Sequence, residues 1–180
     1  VDKSDTSLDP TDLSHYIHQI YEDSKENLWF ATGNGVYLYD RENKILRKWG
    51  HDRNDTATAN IIYVRIIYED SSGNLWFGAG NGLYLFIEED EVFATYKEKD
   101  GLPSNSIRGI LEDEHGNLWL STYKGLSKFN PENKTFSNYY NDDGLQGDEF
   151  NYRVCYKLKT GEFVFGGKNG FTIFHPDSIK

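Results

Sequence analysis

The sequence predicts an all-β chain built from repeats of one four-stranded antiparallel sheet, and three observations predict it. First, a motif recurs: "IYEDSKENLWFATGNGVYLY" (Ile20 to Tyr39) and "IYEDSSGNLWFGAGNGLYLF" (Ile67 to Phe86) agree at fourteen of twenty positions, and "ILEDEHGNLWLSTYKGLSKF" (Ile110 to Phe129) matches the second at ten. Second, Trp29, Trp76 and Trp119 lie 47 and 43 residues apart, as do Asp23, Asp70, Asp113 and Gly35, Gly82, Gly125. Periods of this length belong to propeller blades or paired-helix arrays. Third, the runs "VRIIYED", "NLWFGAG", "LYLFIEED" and "VFATYK" are short, rich in β-branched and aromatic residues and bounded by turn residues, with no stripe at helical spacing. Four such runs make one blade, so the expected fold is a partial β-propeller of about four blades.

The expected order is an N-terminal segment, 1–13, and blades at about 14–50, 60–97, 105–140 and 150–180, all in a single domain, 1–180. The fourth blade rests on a degraded copy, "KTGEFVFGGKNGFTIFHP", which puts Gly161 on Gly116, Val164 on Trp119 and Gly170 on Gly125. Between the first and second strands, Asp70 to Gly73 and Asp113 to Gly116 carry the Asp and Gly that a type I turn takes at its first and fourth positions. Glu26 stands in that Gly position in the first blade, Leu158 stands in the Asp position of the fourth, and "NDTATAN" (Asn54 to Asn60) lengthens one connection. Gly80-Asn81-Gly82 and Lys168-Asn169-Gly170 are read as tight hairpins that need positive φ. These glycines are structural punctuation, since a phosphate-binding loop needs a Gly-Lys-Ser/Thr ending that opens a helix, and neither is present.

A formal charge of −10 over 180 residues argues against nucleic acid and anionic membranes as partners, both of which need a basic footprint. No run of eighteen apolar residues occurs, and "VDKSDTSLDP" is polar, so neither a membrane span nor a signal peptide is read. The lone Cys155 lies in an apolar strand, "RVCYKL", and is expected to be a buried thiol.

The combination D-x-x-G-N-L-W-(F/L)-x-x-x-x-G-(L/V), at Asp70 to Leu83 and Asp113 to Leu126, resembles the two-component regulator propeller repeats. "DGLPSNSIRGILED" (Asp100 to Asp113) resembles that family's connection between blades, and "DDGLQGDEFNYRVCYKLKTGEFVFGGKNGFTIFHPDSI" (Asp142 to Ile179) its closing blade. The resemblance implies the C-terminal blades of the periplasmic sensor region of a bacterial hybrid two-component regulator. It further implies a glycan or other small-molecule ligand, the remaining blades and downstream domains of the parent chain as partners, and a histidine kinase elsewhere in that chain. Family sensor regions carry more blades than four. An open arc of four leaves apolar end faces bare, so either a homodimer in which two copies complete one ring or a strained, loosely capped arc is expected.

The recurring pairs Glu22/Asp23, Glu69/Asp70 and Glu112/Asp113 are read as structural, because a catalytic pair is needed once and a turn in every blade. No catalytic residue, cofactor or metal is expected. His15 and His18 lack further ligands at zinc spacing, and "NDD" (Asn141 to Asp143) lacks the pattern of a calcium loop. Counting five residues back from Asp23, Asp70, Asp113 and Leu158 gives His18, Arg65, Arg108 and Arg153, one basic position in every blade. The first strand lines a propeller's axis, so these side chains would converge there and suit a carboxylate, sulfate or phosphate group. The competing reading pairs Arg65 and Arg108 with Glu69 and Glu112, four residues on along the same strand face. Tyr16, Tyr63 and Asn151 would add a stacking and hydrogen-bonding rim. Two other functions fit the residues. One is a glycan-processing enzyme or a lyase resembling the streptogramin lyases, whose blades are similar, with His18 as its unrepeated group; the other is a purely structural assembly module.

Overall fold

The computed structural model describes residues 16–50 and 60–179. The 1–13 segment, His15, His51 and residues 54–59 of the lengthened connection lie outside the described residues. The first sheet holds β1 (Ile17–Glu22), β2 (Leu28–Thr32), β3 (Gly35–Asp40) and β4 (Ile45–Gly50). The second holds β5 (Ile66–Glu69), β6 (Leu75–Ala79), β7 (Gly82–Ile87) and β8 (Val92–Tyr96); the third, β9 (Ile107–Glu112), β10 (Leu118–Thr122), β11 (Leu126–Asn130) and β12 (Thr135–Tyr139). A fourth sheet holds β13 (Phe150–Lys157), β14 (Phe163–Gly167) and β15 (Gly170–Phe174). Each is an antiparallel meander in chain order, so the all-β propeller fold is present, with three strands instead of four in the last sheet among the described residues. Helical content is confined there to single 3₁₀ turns such as Glu98–Asp100 and Asn141–Asp143.

The acidic motif staples each blade. Asp23, Asp70 and Asp113 are buried, and each carboxylate accepts the indole N–H of Trp29 (2.8 Å), Trp76 (2.7 Å) or Trp119 (3.0 Å). Each also accepts the backbone N–H of Asn27, Asn74 or Asn117, four residues on. The carbonyl of the same Asp closes the turn from the N–H of Glu26, Gly73 or Gly116. At that fourth turn position the backbone is left-handed in every blade, with φ of 66° at Glu26, 81° at Gly73, 74° at Gly116 and 89° at Gly161. Glu26 therefore bears a strain that glycine avoids.

The hairpins between second and third strands depart from the expectation. The register Ala79↔Gly82 leaves Gly80 and Asn81 as the loop, and of the three residues only Gly82 has positive φ. The position needs glycine for a second reason. In the first three blades a Cβ there would approach the carbonyl oxygen of the fourth-strand aromatic, Trp49 O to 2.2 Å at Gly35 and Tyr139 O to 2.7 Å at Gly125.

Three apolar clusters correspond to the three junctions between successive sheets. One joins Trp29 and Val36 to Ile67 and Phe77, the next joins Trp76 and Leu83 to Ile110 and Leu120, and the third joins Trp119 and Leu126 to Phe163 and Phe165. The tryptophans have equivalent neighbours. Each lies against the aromatic of its own fourth strand (Trp49, Tyr96, Tyr139) and the third-strand Phe of the next blade (Phe86, Phe129, Phe174), with centroids 4.9–6.0 Å apart. Such ring pairs add about 0.5–1.5 kcal/mol each beyond area burial.

A polar clasp accompanies each junction. Ser24 donates through its N–H and hydroxyl to the Glu69 carboxylate of the next blade, and Ser71 does the same to Glu112 at 2.8 and 2.7 Å. At the third junction the polarity reverses: Glu114 holds the Ser position and bonds Lys157, which holds the Glu position.

Candidate functional site on the propeller axis

His18, Arg65, Arg108 and Arg153 share one structural cause for their placement. His18 lies between the pairs Ile17↔Thr32 and Gln19↔Ala31, at a register shift in β1. Arg108 lies at the corresponding shift in β9, between Thr122↔Ile107 and Ser121↔Gly109. Arg153 falls in the wider irregularity between Phe150 and Cys155 in β13, with φ of 60°. Arg65 immediately precedes β5, its N–H bonded to Gly78 O. A bulge puts one unpaired residue on a strand and re-aims its side chain. Repeated at one level of successive inner strands, it delivers a basic group from each blade to the same region.

There the side chains meet. The Arg65 and Arg108 guanidinium carbons stand 4.1 and 3.8 Å from the centroid of the Tyr152 ring. Arg108 also lies 5.1 Å from the ring of Tyr123. The Tyr152 hydroxyl is 3.4 Å from Ser106 Oγ. Arg153 Nη1 donates to His18 O at 2.7 Å, linking the first and fourth blades. The His18 pKa is pushed below its ordinary value by burial and then by the nearby Arg65 charge.

Neither arginine makes the intrastrand ion pair of the competing reading. Glu69 and Glu112 are engaged by Ser24 and Ser71 of the preceding blades. The Arg65 and Arg108 Nε atoms are buried without a hydrogen-bond partner, and no ion pair to either residue occurs among the described residues. Two guanidinium groups thus flank one tyrosine with no counter-charge, in a chain of net charge −10.

The expected rim is only partly assembled. Tyr16, 89% exposed, and Tyr63 stand in solvent, and Asn151 is exposed. None of the three touches the arginine pair through a hydrogen bond or ring contact. Tyr63 nonetheless has a left-handed backbone, φ 54°, pinned by its N–H to Gly33 O and its carbonyl to Gly80 N. Tyr152 and Tyr123 do touch the arginines, and sequence reasoning missed both. The signal for Tyr152 was present: it occupies the repeat position of Val64 and Ile107, fully buried aliphatics, and is the one polar aromatic there.

Other candidates resolve into structure. Asp143 accepts the Tyr140 N–H and Asp148 the Asn141 N–H, so the acids around "NDD" serve their turn. Cys155 is half buried, not fully as expected, because it lies beside Gly109 on the edge where β9 and β13 approach; burial still pushes its thiol pKa up. A cleft of about 390 Å³ lies away from the axis between the first two sheets, walled by Trp49, Phe86, Glu88 and Glu91. Its charges are largely paired, Lys25 with Glu88 and Arg47 with Glu91. The axial cluster, among the described residues, carries unmet charge.

Sheets repeating one stapled motif around an axis, with bulged basic residues facing inward, define a β-propeller. Comparison with known proteins gives the family: residues 12–34, 59–81 and 101–124 match the two component regulator propeller family, and the chain carries repeats of that family. Its fold is similar to the extracellular domain assigned to the hybrid two component system BT3049 from B. thetaiotaomicron, with TM-score 0.80 and 29% identity over 99% of this chain and 23% of that one. A second such domain, BT4673 from the same organism, gives 0.69 and 24% over 89% of this chain and 23% of that one. A catalytically inactive virginiamycin B lyase from Staphylococcus aureus with quinupristin gives 0.67 and 14% over 96% of this chain and 59% of that one, a likeness of fold alone. The chain spans about a quarter of the length of the B. thetaiotaomicron domains it matches. No curated protein matches it.

Proposed function

We propose that this chain is a non-catalytic, ligand-binding segment of the periplasmic sensor region of a hybrid two-component regulator, and that its ligand is a glycan or glycan breakdown product bearing an anionic group. The observation that carries the reading is the Arg65–Tyr152–Arg108 stack, in which two cations share one ring and lack a carboxylate partner. A ligand carboxylate or sulfate supplies the missing charge through bidentate contacts. Family repeats and extracellular relatives support the sensor role. The ligand acts on the kinase by binding one arrangement of the sensor more tightly than another.

Calorimetric titration with neutral and uronic or sulfated oligosaccharides tests this. Acidic members bind, and Arg65→Ala or Arg108→Ala weakens them at least tenfold; equal affinities across the panel, or unchanged affinity in both variants, reject the axial site. The enzyme reading keeps one observation, His18 as the single non-arginine in the basic column. Turnover of glycans or cyclic depsipeptides that disappears in His18→Ala would replace the sensor assignment with a lyase.

A further inference from the structure

We propose that the cleft between the first two sheets is a second ligand site, separate from the axis, and that it takes a small organic cation carrying a protonated amine. Its volume, about 390 Å³, falls in the range of small-molecule sites. It lies where a junction between sheets stays open. Trp49 and Phe86 are half-buried there, whereas Tyr96 and Phe129, which hold the same positions at the next junction, are 9% and 0% exposed. The Trp49 indole N–H donates to Glu91 O at 2.9 Å, and its ring lies 5.4 Å from that of Phe86 between centroids. The tryptophan is thereby fixed as a wall of the cleft.

The charges on its walls identify the occupant. Six carboxylates line the cleft, Asp23, Asp40, Glu69, Glu88, Glu89 and Glu91, against two cations, Lys25 and Arg47. Asp23, Asp40 and Glu69 serve the staple, a turn and a clasp, while Lys25 and Arg47 reach across from the first sheet to Glu88 and Glu91. Glu89 makes no ion pair among the described residues. The hairpin that supplies the last three acids departs from its repeat. In the first and third sheets the residue ending the third strand, Asp40 or Asn130, accepts the N–H groups two and three positions on. Ile87 stands there in the second sheet, followed by Glu88-Glu89-Asp90-Glu91, so a local acceptor is given up and four like charges adjoin. The turn is weakened by both changes, and a break with local chemistry of this kind is characteristic of functional positions. Both ion pairs across the cleft are solvent-exposed, so they contribute little and exchange readily. An incoming ammonium group can replace Lys25 on Glu88, meet the Glu89 charge and lie against the face of Trp49 as a cation–π contact.

Nitrogen–proton correlation NMR tests this, because the Trp49 indole N–H reports from the cleft wall and that of Trp119 from elsewhere; Trp49→Phe assigns the resonance. Glucosamine and cadaverine are the probes, with glucose as the neutral counterpart of the first. A protonated amine moves the Trp49 cross-peak saturably and leaves that of Trp119 in place, while glucose moves neither. A response to glucosamine alone makes the ligand an amino sugar, and to cadaverine alone an alkyl amine. Lys25→Ala removes the internal competitor for Glu88 and tightens binding about threefold, and Glu89→Lys weakens it about fivefold; both positions are exposed, so the fold is kept. Arg65→Ala leaves the binding unchanged, so the cleft and the axial site stand or fall separately. Glucose binding as tightly as glucosamine, no saturable shift with either amine, or weaker binding in Lys25→Ala would overturn the proposal.

Discussion

Replacing Asp113 by alanine removes the acceptor for the N–H groups of His115 (3.0 Å) and Asn117 (2.9 Å), the Asn117 amide (3.0 Å) and the Trp119 indole (3.0 Å). The His115 N–H is in an exposed turn and regains water, but Asn117 and Trp119 are buried. Three stranded donors, the Asn117 N–H, the Asn117 amide and the Trp119 indole, at about 1–3 kcal/mol each set the expected loss at about 3 kcal/mol or more. Trp119→Phe deletes one of those donors while keeping an aromatic in the Tyr139 and Phe174 contacts. In that background Asp113→Ala costs less by about 1–3 kcal/mol. The fourth blade has made this change itself, with Leu158, Glu162 and Val164 in the places of Asp, Asn and Trp. Urea unfolding of wild type, both single variants and the double variant, followed by far-UV circular dichroism, gives the coupling. Losses that add within about 0.5 kcal/mol would refute the staple as a shared unit.

Glu26→Gly relieves the left-handed strain at the fourth turn position and raises the urea midpoint by an amount equivalent to about 1 kcal/mol; an unchanged or lowered midpoint counts against it. Gly109→Ala places a Cβ 2.7 Å from Ser121 Oγ and 3.0 Å from Cys155 Sγ, and destabilises by about 1–3 kcal/mol in the same assay. Arg65→Ala removes one of the two causes that lower the His18 pKa, so the imidazole resonance titrates at higher pH by NMR; no movement would separate the two side chains. Burial alone would raise the Asp113 pKa, but the hydrogen bonds from Trp119, Asn117 and His115 outweigh it and hold it below its ordinary value. Its contribution is therefore complete above about pH 4 and is lost as pH falls through the folded value. Acid unfolding monitored by circular dichroism should flatten in Asp113→Asn.

The blades were legible because their causes are local and repeated. The Asp-to-Trp spacing of six that ties turn to second strand is present three times in the chain, and its equivalent surroundings follow from that register. The column of His18, Arg65, Arg108 and Arg153 was legible for the same reason, since counting back from a fixed turn finds a fixed position on the inner strand. The partners of that column were not. Strand periodicity places Glu69 on the same face as Arg65, but Ser24 of another blade takes the carboxylate, and no single-strand pattern reports that competition. Tyr152 was overlooked because its position reads as core in the other blades, where Val64 and Ile107 fill it. The hairpin glycines were assigned to φ alone, whereas close approach to the fourth-strand carbonyl also requires them, a contact between residues some fourteen positions apart such as Gly82 and Tyr96.

The most direct test of the account is a crystal structure of the chain with glucuronate, whose carboxylate probes the unpaired charge on the axis. The carboxylate is expected within hydrogen-bonding distance of the Arg65 and Arg108 guanidinium groups, beside the Tyr152 ring. Glucuronate in the cleft between the first two sheets, or arginines turned away to Glu69 and Glu112 with the axis empty, would contradict it.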